Sequence, residues 1–425
     1  MDLGADQAPA LPEATEGTRP GGLRVAGAAA LLGLLLVVGL LAAAPGMGNG
    51  WFWDDLHMVR EYSAAELAGT WHGAYDPDRI ETAGLRPLQT LSDHVKAVLF
   101  GETAWPSRVL AVVCYALGFW LFALAFRRIG VPLLVSVAAG LLTITAKYAA
   151  YTVTWVSDSY HAQQFLAIAV MFFAAIEAGR VRGRRRSLLL AAAVAAFAVA
   201  LLLKESVVEF VPALIVAPLV IDAFATRSRN ELRALGRRCL ADRGLWVYAG
   251  SLVALSIGDV IARRLFVPSA YTRPGLDAPR AVFRQLRQVT HFAGVDRPVF
   301  WVGVAVVVIA GVVIVRRTRQ GVDEARTQLL AMVALLALLA SSLVTATFYA
   351  RSDLTTMPQF FYACVLVFAV WSLATAIPAA PGPRRSSPSQ RCAASGRWWC
   401  RPGPAPTSSG RWGPGRCTRS RSTTT

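Results

Sequence analysis

At 425 residues, with 55% hydrophobic and only 16% charged side chains, the chain is too apolar for an ordinary water-soluble protein. The formal charge of +17 suggests nucleic acid until it is mapped. Nine arginines and no acidic residue lie in 381–425, and much of the remaining arginine sits in turns between apolar runs, so no nucleic-acid partner is expected. The six cysteines are scattered without a CxxC pair or ligand-like spacing, and neither a disulfide framework nor a zinc site is indicated.

Residues 1–22 read as a disordered cytoplasmic leader, followed by an apolar run too long, and too poorly supplied with a cleavage site, for a clear signal peptide. Runs of about 20 residues, the length that crosses a hydrocarbon core of about 30 Å, then recur along the chain. They fall near 24–45, 106–126, 131–147, 161–179, 187–203, 206–223, 244–262, 298–315, 329–348 and 359–378. The expected fold is an all-α polytopic membrane protein of about 10 transmembrane helices, its membrane domain covering 23–380. Two longer loops interrupt it: 47–105, expected to be helical in part, and 263–297, which holds seven arginines. Residues 381–425, rich in Arg, Pro, Gly, Ser and Trp without a hydrophobic period, read either as a disordered basic tail or as an out-of-frame translation.

Arginine sets the expected sidedness. Arg127-Arg128, the run Arg180–Arg186, the Arg227–Arg243 segment and Arg316, Arg317, Arg319 and Arg326 follow the even-numbered spans, whereas the short alternate loops hold only Lys147, Lys204 and Arg351. This asymmetry places the N terminus and the arginine-rich turns in the cytoplasm of a multi-pass plasma-membrane protein. Asp54-Asp55, Tyr160-His161, Lys204-Glu205, the basic loop and Arg351-Ser352-Asp353 then share the outer face. Unusual polar residues gathered on one side imply an extracytoplasmic site.

Within Trp51-Phe52-Trp53-Asp54-Asp55-Leu56-His57, the paired carboxylates stand against the membrane among three aromatic rings. Either acid serves as a base for an acceptor hydroxyl, with the other as orienter or metal ligand; either also suits the N-cap of a helix through Leu56–Tyr62. Asp76-Pro77-Asp78 reads as a turn more readily than as a metal-binding DxD. Arg86-Pro87-Leu88, with Leu91 and His94 behind it, reads as a loop entering a short amphipathic helix, its arginine anchoring a phosphate or snorkelling at the interface. Trp155 and Tyr160 suit an aromatic belt, while His161 and Gln163-Gln164 suggest contact with a sugar or pyrophosphate. Lys204-Glu205 between two apolar runs needs partners or water, and Glu209, one helical turn on, is expected on the same face as Glu205. Arg280, Arg284 and Arg287, at i, i+4 and i+7, present one cationic helix face to a lipid phosphate or simply to anionic lipid. No P-loop, strand-following GxGxxG, GxSxG or HExxH occurs, so nucleotide phosphoryl transfer and soluble-type hydrolysis find no support.

In this order, Trp53-Asp54-Asp55, Arg86-Pro87-Leu88, Phe100-Gly101, Trp155 with Gln163-Gln164, and Lys204-Glu205 resemble the GT-C fold glycosyltransferases that use polyprenyl-phosphate sugars. The likeness is to protein O-mannosyltransferase-like enzymes and their bacterial relatives, and covers roughly 24–225. It implies a GT-C-like membrane domain, a catalytic base at Asp54 or Asp55, inversion in one displacement, and a polyprenyl-phosphate sugar donor drawn from membrane lipid. The acceptor would be a protein or glycan hydroxyl. Some members use a divalent metal; no cofactor is otherwise implied, and the metal residues are unknown. Phosphate contacts would fall to Arg86, Lys204, Glu205, Arg280, Arg284 and Arg287, with Trp155, His161 and Gln164 as further site residues. Cys114-Tyr115 stands where many relatives carry a histidine, and the basic tail replaces their C-terminal helices or soluble domain. A transporter or flippase of lipid-linked sugar, or an inactive truncated scaffold, is the rival reading; an internal helix repeat would favour the first, and none is seen.

Overall fold

The computed structural model describes residues 21–52, 55–74, 84–226, 228–267, 278–289, 297–344 and 356–377. Among the described residues there is no strand; nine helical segments are long and apolar enough to cross a membrane, and a bent pair supplies up to a tenth. The all-α polytopic class read from the apolar runs is the class observed.

Helix α1 (Gly21–Met47) leads into two short helices, α2 (Asp55–Met58) and α3 (Ala64–Gly69), the second closed by a Ser63–Glu66 capping box. Next come α4 (Pro87–Phe100) and the long α5 (Trp105–Arg128). The third apolar run is not one straight span. It splits into α6 (Leu133–Ile144) and α7 (Lys147–Thr154), bent by 61°. The Thr143 and Thr145 hydroxyls turn back to the Ala139 and Leu141 carbonyls at 2.8 and 2.9 Å, which bends helices, and Lys147 follows at the break. A 3₁₀ turn (Ser157–Ser159) opens α8 (Tyr160–Ala178), and α9 (Gly183–Leu203) returns.

The sixth span is segmented: a 3₁₀ turn (Glu205–Phe210), α10 (Val211–Val216), a second 3₁₀ turn (Ala217–Leu219) and α11 (Val220–Ala225). Pro212 and Pro218 each remove a backbone donor and favour these restarts. The 3₁₀ geometry also corrects one expectation. At three residues per turn Glu209 is rotated about 120° from Glu205, so the two do not share a face. The remaining helices are α12 (Arg229–Ala241), α13 (Arg243–Phe266), α14 (Ala278–Val289), α15 (Arg297–Arg319), α16 (Asp323–Ser341) and α17 (Thr356–Ala376).

The core is aromatic. Phe119 and Phe122 of α5, Phe165 of α8 and Phe360 of α17 lie with ring centroids 4.8–5.6 Å apart, in tilted and edge-on pairs. Hydrocarbon outside the bundle is as apolar as these rings, so close packing rather than water exclusion holds them together. Gly118 permits that closeness, since a Cβ there would strike the Phe165 ring. Ion pairs mark the two ends of the bundle. Arg128–Glu177 and Arg186–Asp242, each 2.6 Å, and a bond from Arg326 to the Thr226 carbonyl define the arginine-rich end. The opposite end carries α4.

Candidate functional site

Helix α4 wears its polarity inward. Gln89, Thr90, Asp93 and Lys96 recur at three- and four-residue spacing and are buried, while Leu91, Val95, Val98 and Leu99 point outward and are exposed. A soluble helix would do the reverse; here the outward face suits lipid and the inward face suits a polar site. Pro87 at the first turn suits the helix start, and it forces Arg86 out of the helical region, to φ −142° and ψ 60°.

At one end of α4, Asp55 is fully buried and works as a clasp. Its Oδ1 accepts the Ser157 N–H at 2.6 Å, and its Oδ2 accepts the Phe52 and Val156 N–H groups at 3.1 and 3.3 Å. The Val156 carbonyl in turn accepts from Lys96 Nζ at 3.0 Å, and Lys96 pairs with Asp93 at 2.7 Å. The turn before α8 is thus gripped on both faces, by the first loop and by α4. Arg108 fixes the approach to this clasp. Its guanidinium donates to the carbonyls of Met47, the last residue of α1, and of Asn49 and Gly50 just beyond it, and to Thr154 O at the end of α7, satisfying helix-terminal acceptors. Trp155 packs edge-on against Phe52 and Tyr151, at 5.9 and 5.2 Å.

Burial pushes the Asp93 carboxyl up to about 6 despite Lys96, and burial raises Asp55 as well, against the pull of its three N–H donors. A folded-state value above the unfolded one means that the native state holds the extra proton in between. The stability contributed is full below about pH 4 and is lost as pH rises toward about 6. The melting temperature in detergent should therefore carry a downward component across this window, and Asp93→Asn should remove part of it. An identical pH slope in that variant would contradict this assignment.

At the other end of α4, about 15 Å along its axis, Arg86 grips Glu205 with both arms, Nε to Oε2 at 3.2 Å and Nη2 to Oε1 at 3.0 Å. Arg263 of α13 approaches the same carboxylate at 3.2 Å and donates through Nε to Asp259 at 2.7 Å. Lys204, only 2% exposed, lies 3.2 Å from the Tyr160 hydroxyl and 3.3 Å from His161 Nε2. Gln164 holds the chain there, donating to the carbonyls of Lys204 and Ala200 at 2.7 and 3.2 Å. Among the described residues three cations meet two carboxylates; Nη1 of buried Arg263 is the atom 3.2 Å from Glu205, and its Nη2 finds no hydrogen-bond acceptor there. Gln163, bonded to Ser92 at 2.8 Å, ties α8 to the middle of α4. Beside that contact runs an apolar groove of about 350 Å³, bordered by Leu91, Ser92, Lys96, Leu99, Gln163 and Leu203.

Of the residues expected at a site, Arg86, Lys204, Glu205, His161 and Gln164 fall in this second cluster, and Asp55 with Trp155 in the first. Asp54, Asp76, Asp78 and Arg351 lie outside the described residues. Arg280 is exposed on α14, and the side chains of Arg284 and Arg287 lie outside the described part. Asp55 begins a helix of four residues that ends at Met58, earlier than Tyr62; the Tyr62 N–H goes instead to His94 Nδ1 at 2.9 Å. Arg263 belongs to the basic loop expected to clamp a lipid phosphate, whereas Arg108, the Asp93–Lys96 pair and Asp259 are not among the site groups expected from the sequence. Their signal was present as charge inside or beside apolar runs, at i, i+3 or i, i+4 spacing.

Among the described residues, no three His, Cys, Asp or Glu side chains gather as a metal site. The Asp55 oxygens already serve three N–H donors, so the described side chains do not fit a divalent cation at the clasp.

No family model matches the chain, and no curated protein matches it. Among solved structures it is similar to the archaeal oligosaccharyltransferase AglB from Archaeoglobus fulgidus, in complex with an inhibitory peptide and a dolichol-phosphate, at 11% identity and a TM-score of 0.47. That likeness covers 85% of this chain and 53% of AglB. It is also similar to apo ArnT from Cupriavidus metallidurans, at 17% identity and a TM-score of 0.41, over 83% of this chain and 60% of ArnT. The chain thus spans less than two thirds of the length of either protein.

Proposed function

We propose that the chain is a GT-C-like membrane glycosyltransferase that moves a sugar from a polyprenyl-phosphate donor to an acceptor hydroxyl, with inversion, on the extracytoplasmic face of the plasma membrane. The supporting observation is that one helix, α4, carries a buried carboxylate clasp toward one end and, among the described residues, a cluster of three cations and two carboxylates at the other. Asp55 spends its oxygens on backbone N–H groups and acts as the positioning acid. Its neighbour Asp54 is the base. Asp54 takes the proton from the acceptor hydroxyl, and the freed oxygen bonds to the anomeric carbon. The bond from that carbon to the lipid phosphate breaks, leaving its electron pair on the phosphate.

Cations then stabilise the departing phosphate. Glu205 already engages Arg86 through both oxygens, whereas Arg263 keeps its Nη2 donor to spare and Lys204 directly precedes Glu205 in sequence. Arg263 and Lys204 are therefore the nearest phosphate partners, with Arg86 and Glu205 holding them in place and Arg280, Arg284 and Arg287 of α14 adding charge. Trp155, His161 and Gln164 border the sugar, and the groove beside α4 takes hydrocarbon of the donor. Membranes containing the chain should transfer radiolabelled sugar from at least one of polyprenyl-phosphate mannose, glucose and arabinose. Transfer from none of them, with the protein present and folded, would contradict this reading.

A further inference from the structure

Helix α12 lies at the arginine-rich end, far from α4. Its flanks are fixed: Arg326 of α16 donates to the Thr226 carbonyl just before it, and Arg186 of α9 pairs with Asp242 just after it at 2.6 Å. Ser228 caps its start, accepting the Glu231 N–H at 3.2 Å, and the Asp242 side chain caps α13, accepting the Leu245 N–H at 3.2 Å. Spans α11 and α13 both have this end in common, and a helix of 13 residues covers about 20 Å. A rod of that length joining two points on one surface runs along the surface rather than into the bilayer.

Its side chains suit that position. Arg233, Arg237 and Arg238 are exposed, the first two at i, i+4 spacing. Leu232 and Leu240 stand 58% and 69% exposed beside them, and Trp246, whose indole N–H donates to the Leu240 carbonyl at 3.1 Å, is 58% exposed at the head of α13. Within the helix only Glu231 offsets four arginines. Exposed leucines among cations, next to a tryptophan, form the pattern of a helix seated at a headgroup layer.

We propose that α12 is a lipid-surface helix whose arginines bind anionic phospholipid headgroups in the leaflet at the arginine-rich end, with Leu232 and Leu240 entering the interface. This site is separate from the transfer site and does not depend on it. The test uses the full chain in nanodiscs of phosphatidylcholine with and without phosphatidylglycerol. Native mass spectrometry then reads which lipid the released protein retains. Arg233→Gln/Arg237→Gln/Arg238→Gln should lower the preference for phosphatidylglycerol by roughly fivefold per arginine. The control Arg182→Gln/Arg184→Gln/Arg185→Gln, which removes equal charge from the start of α9, should leave most of it. An unchanged preference in the first variant, or an equal fall in both, overturns the proposal. Hydrogen exchange of 229–241 in the unmodified protein should slow when phosphatidylglycerol is added, and unaltered exchange would also overturn it.

Discussion

Glu205→Gln is expected to lower the stability of the protein by about 3–5 kcal/mol. Its carboxylate receives both arms of Arg86, lies 3.2 Å from Arg263, and follows Lys204 directly in sequence. Without it Arg263 keeps only Asp259 as an ion-pair partner among the described residues and the Arg86 fork loses this acceptor, and a buried cation that loses its carboxylate costs far more than the net worth of the pair that held it. Glu205→Asp keeps the charge but shortens the reach, so the two-armed contact with Arg86 is lost while the cluster stays neutralised; its cost should be about 1 kcal/mol. Thermal melting in detergent, at low and high salt, separates these effects. A buried cluster is screened little, so salt should not rescue the glutamine variant. A glutamine variant as stable as the parent, or one fully restored by salt, would contradict the role given to Glu205.

Asp55→Asn is the second change of large effect. The asparagine carbonyl can still accept from one or two of the three N–H groups, but its amide now points a donor at another donor. The expected loss is about 1–3 kcal/mol, concentrated in the first loop and the turn before α8. Hydrogen exchange at Val156 and Ser157 should quicken before the rest of the bundle responds.

The membrane class of the fold was legible because bilayer thickness fixes span length, and most of the apolar runs match long helices within a few residues, while the run expected at 329–348 is α16 at Asp323–Ser341. The bend between α6 and α7 was not, since hydropathy carries no information about the Thr143 and Thr145 hydroxyls turning back on their own helix. That Lys204-Glu205 is partnered could be expected, because a charged pair between apolar runs demands partners. Its partners could not be named: Arg86 lies 119 residues from Glu205, and only the path of α4 brings them together. Asp55 shows the reverse limit. Sequence made it a base or an orienter on equal terms, and the three N–H donors on which its proposed positioning role rests come from Phe52 and from a turn more than 100 residues away. Arg108 escaped notice because a single arginine early in an apolar run resembles a snorkelling residue, whereas its acceptors are carbonyls at two helix ends.

The division of labour between the two adjacent acids is the central claim, and sugar transfer by matched Asp54→Asn and Asp55→Asn membranes tests it most directly. Asp54→Asn should lose about 10²–10⁴ in rate with its melting temperature unchanged, as expected when a general base is removed. Asp55→Asn should melt earlier yet retain measurable transfer at low temperature. Near-normal transfer by Asp54→Asn, or transfer abolished in an Asp55→Asn protein that melts like the parent, would show that the base has been assigned to the wrong carboxylate.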